Sequence, residues 1–85
     1  MITSEQVRAA RSLLRWEQKD LATHSGVSLP SIKRLETQPG DLAAQERTVD
    51  ALKSALEAAG VVFLESGVLV DGGPGVRLAK KADDE

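Results

Sequence analysis

With 85 residues the chain can bury one modest core and is too short for most enzymes built around a deep cleft, so a single function carried on a surface is expected. It has no cysteine and a single histidine, His24, which excludes disulfides and thiolate metal sites and gives the histidine no clustered partners; neither a metal nor a cofactor is expected. Eleven basic and thirteen acidic side chains give a net charge of −2, but residues 1–40 hold six basic and four acidic groups (net +2) and residues 41–85 hold five and nine (net −4), so the basic half is the N-terminal one.

The first predicted element opens at Thr3-x-x-Gln6, the spacing of a capping box in which a hydroxyl and an amide satisfy exposed helix N–H groups. A helix from about Ser4 to Leu14 follows, with Val7, Ala10, Leu13 and Leu14 forming its inward stripe. A short second helix, 17–24, turns Leu21 and Ala22 inward and stops near Ser25. Gly26 then supplies the left-handed residue that closes it. Ser28 is a suitable N-cap for a third helix, Leu29–Glu36, in which Pro30 is tolerated in the first turn and Ile32 and Leu35 point inward. Turn chemistry at Thr37-Gln38-Pro39-Gly40-Asp41 separates it from a fourth helix at roughly 46–59, with Val49, Leu52, Leu56 and Ala59 as its apolar stripe.

The character then changes. Residues 61–64, 68–70 and 76–78 are short apolar, β-branched runs separated by Ser66-Gly67 and Gly72-Gly73-Pro74-Gly75, which predicts two or three small strands. Such strands must pack on the helices or pair with another chain, because an isolated hairpin is marginal in water. The expected architecture is therefore mostly α: a four-helix domain over 1–60, a strand extension over 61–79 serving dimerisation, and a charged, frayed tail over 80–85.

Catalysis is not expected. His24 and Ser31 make no triad, and the glycine-rich run at 72–75 lacks the Gly-Lys-Ser/Thr ending of a phosphate loop. No apolar stretch approaches the roughly 20 residues of a membrane span, and no signal-peptide pattern is present, so the expected location is the cytoplasm. Trp16, alone between two helices, is expected in the core rather than on a base, and Arg8, Arg15 and Lys19 fit a DNA-facing stripe and an ordinary solvated face equally well.

Two short helices joined by a glycine-bearing turn form a helix-turn-helix unit, whose second helix enters the major groove of DNA. Val7-Arg8-Ala9-Ala10-Arg11, Trp16-Glu17-Gln18-Lys19-Asp20-Leu21-Ala22, Gly26-Val27-Ser28 and Ser31-Ile32-x-x-Leu35-Glu36 together resemble the Cro/C1 (XRE) family of DNA-binding transcriptional regulators over residues 5 to about 59. The resemblance implies a lambda-repressor-like fold, with Gln18 holding a DNA phosphate, Ser28, Leu29, Pro30 and Arg34 facing bases, and Arg11 and Glu36 forming a structural ion pair. Side-chain chemistry favours Arg34 for guanine, Lys33 for phosphate, and Leu29 and Pro30 for thymine methyl groups, with Ser31 beside them on the recognition helix, 28–36. The family often has glycine where this chain has Arg15, a hydroxyl where it has Glu17, and basic residues in the loop where it has Asp41, so a weaker phosphate grip per subunit is implied. The expected partner is double-stranded DNA, bound by a homodimer. The acidic second half motivates an alternative, in which the same scaffold serves as an antitoxin or accessory module that holds another protein.

Overall fold

Four helices make up the regular structure of residues 1–80, the part that a computed structural model describes: α1 (Ser4–Leu14), α2 (Gln18–Ser25), α3 (Leu29–Glu36) and α4 (Glu46–Ala58). α1 begins at the capping box, where the Gln6 N–H donates to Thr3 Oγ1 (3.1 Å) and the Thr3 N–H donates to Gln6 Oε1 (2.9 Å). It ends at Arg15, which adopts the left-handed conformation (φ 59°), and the Trp16 N–H closes the end by donating to the Arg11 carbonyl at 2.8 Å. α2 closes on Gly26 (φ 76°), and two residues later Ser28 caps α3 by accepting from the Ser31 N–H at 3.3 Å.

α2 lies between α3 and α4, and α1 packs on α3. Leu21, Ile32, Leu35, Leu52 and Leu56 are almost wholly shielded from solvent, with Val7, Ala10 and Val49 beside them. Two further core residues, Ile2 and Leu42, lie outside the helices. They are brought together where the Leu42 N–H donates to the Ile2 carbonyl (3.3 Å), next to an isolated antiparallel bridge between Thr3 and Asp41. The loop after α3 is thus fastened to the start of α1, with Ser4 N donating to the Gly40 carbonyl (2.9 Å) and Gly40 N donating to the Glu5 carboxylate (3.2 Å).

Three expectations change. Leu13 is 59% exposed: at 3.6 residues per turn it sits roughly 120° around the helix from Val7, so the inward stripe runs through Val7, Ala10 and Leu14 instead. Ala59 falls outside α4 and is exposed, and Ala55 takes its place against the core. The described residues contain no strand in 61–80. Val61 and Phe63 pack on the helical core, but Leu69, Val76 and Leu78 are 94%, 88% and 92% exposed; with no apolar surface beneath them, two short runs split by Gly72-Gly73-Pro74-Gly75 form no ladder within one chain. Of the tail expected at 80–85, only Lys80 lies within the described residues.

Candidate nucleic-acid interface

The rear of α3 is fixed by one buried carboxylate. Glu36, 4% exposed, accepts from Arg11 Nε (2.8 Å) and Nη2 (2.6 Å) in a two-pronged ion pair, and from Gln18 Nε2 at 3.0 Å. The third guanidinium nitrogen, Arg11 Nη1, donates to the Trp16 carbonyl (3.1 Å), and Arg8 Nη1 donates to the Glu36 carbonyl (3.0 Å). One cluster therefore ties together the end of α1, the turn into α2, the first residue of α2 and the last residue of α3. The Gln18 amide is partly engaged within the protein, and Arg8, though exposed, is tethered to the end of α3.

The opposite face of α3 is open. Pro30, Lys33, Arg34 and Thr37 follow the i, i+3, i+4, i+7 spacing of one helical face and are exposed, while Ile32 and Leu35 face the core. Ser28 and Ser31 sit at the start of this face, where their hydroxyls hydrogen-bond to each other at 2.8 Å, so Ser28 Oγ already serves the helix end. A shallow groove runs along each flank of α3. One is lined by Ser28, Ser31 and Arg34 together with Arg47 and Thr48 from the first turns of α4; the other by Gln18, Lys19, Leu29 and Lys33, with Glu17 as its one acidic side chain.

The ion pairs among the described residues are Met1–Glu65, Arg8–Glu5 and Arg11–Glu36, so Lys19, Lys33, Arg34 and Arg47 pair with no carboxylate. Cations without a carboxylate partner among the described residues are thus gathered along both flanks of α3, on a chain whose net charge is −2. Arg47 was not among the residues singled out from the sequence. Its signal is the start of α4 at Glu46: a side chain in the first turn leans back toward the helix N-terminus, here toward the turn before α3. Asp41, by contrast, is held at the far loop by its bridge to Thr3.

Trp16 is half-buried against the core and stacks on His24, with ring centroids 4.4 Å apart and planes 9° from parallel; its indole face is thus already occupied on that side. The N–H of Glu17 donates to Asp20 Oδ2 (2.8 Å), which secures the start of α2. No group of three or more potential metal ligands occurs among the described residues, and no helix there is long and apolar enough to cross a membrane. Set against protein families, curated proteins and solved structures, the chain matches none of them.

Proposed function

We propose that the chain is a sequence-specific DNA-binding regulator of transcription of the Cro/C1 (XRE) helix-turn-helix type, acting as a homodimer with α3 in the major groove. The observation that carries this is the exposed Pro30–Lys33–Arg34 face of α3, flanked on both sides by cations that pair with no carboxylate among the described residues and braced from behind by the Arg11–Glu36 pair. A helix lying in the major groove has a phosphate strand on either side, so one flank meets each strand. Arg34 reads guanine through O6 and N7, while Leu29 and Pro30 present apolar surface to thymine methyl groups. Lys33, Lys19 and Arg47 hold phosphates, as does Gln18 with the amide proton that Glu36 leaves unused. Arg47 supplies from α4 some of the positive charge that the loop at Asp41 lacks.

In vitro selection from a random DNA pool at two salt concentrations tests this. The expected product is an inverted repeat whose half-sites lie about one helical turn apart. Arg34→Ala should lose about 1–3 kcal/mol of discrimination at one base position, whereas Arg47→Ala should weaken all sequences alike and lower the salt slope by about one. Recovery of no enriched sequence, together with an Arg34→Ala variant that binds as the parent does, would overturn the proposal.

A further inference from the structure

We infer that residues 65–80 are the surface through which two copies of this chain pair, deepening the homodimer proposed above by naming where the copies meet. The segment has two limbs on either side of its glycine-rich bend. Arg77 holds them side by side, its Nη1 donating to the Val68 carbonyl (2.7 Å) and its Nη2 to the Glu65 carbonyl (2.9 Å), while a turn at Ser66-Gly67 brings the Val68 N–H onto Glu65 O at 3.1 Å. The limbs are pre-arranged, but no backbone ladder joins them among the described residues, so apart from the Glu65 carbonyl and the N–H and carbonyl of Val68 their backbone groups are open to another strand.

The occupant follows from apolar area, from charge and from what the rest of the protein lacks. Val68, Leu69, Val70, Val76 and Leu78 are all exposed and together present on the order of 500 Å² of aliphatic surface, a large part of the roughly 800 Å² that each partner contributes to a standard stable interface. Outside this segment the exposed large apolar side chains are Met1, Leu13 and Val62, too few and too scattered to cover it. The segment carries Glu65 and Asp71 against Arg77 and Lys80, so it is neutral and two copies meet without net charge repulsion. In that pairing the limbs become the strands that one chain alone does not form.

The test uses the full chain without DNA, so it is independent of whether α3 reads bases. Sedimentation equilibrium from micromolar to submillimolar concentration should show a dimer. The double variant Leu69→Glu/Leu78→Glu should be monomeric with unchanged helical circular dichroism, since both positions are solvent-exposed. A monomeric parent across the range, or a double variant as dimeric as the parent, overturns the inference. DNA binding by a monomeric parent would remove it while leaving α3 as the reading helix. Because the chain has no cysteine, single replacements add an independent readout: Leu69→Cys or Leu78→Cys should give disulfide-linked dimers at least about tenfold faster than Ser54→Cys on the exposed side of α4, and equal rates would overturn the pairing.

Discussion

Glu36 shows why a buried charge can be structural at the residue scale. Its carboxylate is shielded from water and is tolerable because three donors from two side chains surround it. Arg11→Ala removes two of those donors and the compensating charge, leaving only Gln18. The expected loss is about 3 kcal/mol of folding free energy, the low end for breaking a buried pair, read as a shift of the urea midpoint at constant slope. A loss below about 0.5 kcal/mol would mean that the pair contributes no more than a surface one. Sequence spacing alone gives no reason for Arg11 and Glu36 to meet, being 25 positions apart; they were singled out only through a family pattern. Arg15 shows the reverse case. The pattern marks it as a position where glycine is common, and its φ of 59° supplies the physical reason, a left-handed helix end that costs an L-residue about 1–2 kcal/mol.

At the scale of elements, the helices were legible because capping and periodicity agree locally. Thr3 with Gln6, Gly26 and Ser28 each mark an end, and the observed limits of α1 and α3 are those that the spacing predicts. What was hidden depends on tertiary contact: Ile2 and Leu42 are isolated apolar residues in the sequence and become core only because the loop after α3 folds back on the chain start. The fastening of that loop should weaken in acid. The backbone N–H groups of Glu5 itself and of Gly40 hold the Glu5 carboxyl below the ordinary glutamate range. A carboxyl with a lowered folded-state pKa adds stability that is fully present above its ordinary range and is lost as pH falls through the lowered value. Thermal melts of Glu5→Gln should therefore lie below those of the parent near neutral pH and converge with them in acid. Curves that stay parallel through the acid range would show that the Gly40 contact contributes nothing through the charge.

For the whole molecule, the boundary that matters lies within the C-terminal segment and not at Gly60. Val61 and Phe63 pack on the helical core, whereas the residues after Glu65 touch little of it. The sequence could not separate these two parts, since both are short β-branched runs and composition does not say which surface a run will meet. Two truncations separate them. A chain ending at Gly60 loses a partly buried phenylalanine and valine and should unfold about 2–3 kcal/mol more easily, because removed apolar contacts leave the helices uncovered. A chain ending at Glu65 keeps those contacts and should match the stability of the parent monomer within about 0.5 kcal/mol. The two effects are separable by concentration, since a dimer is stabilised by mass action and a monomer is not. The parent's denaturation midpoint should rise with protein concentration, while that of the chain ending at Glu65 stays fixed. A concentration-dependent midpoint in the shorter chain would place the contact between copies on the helices instead of on residues 66–80.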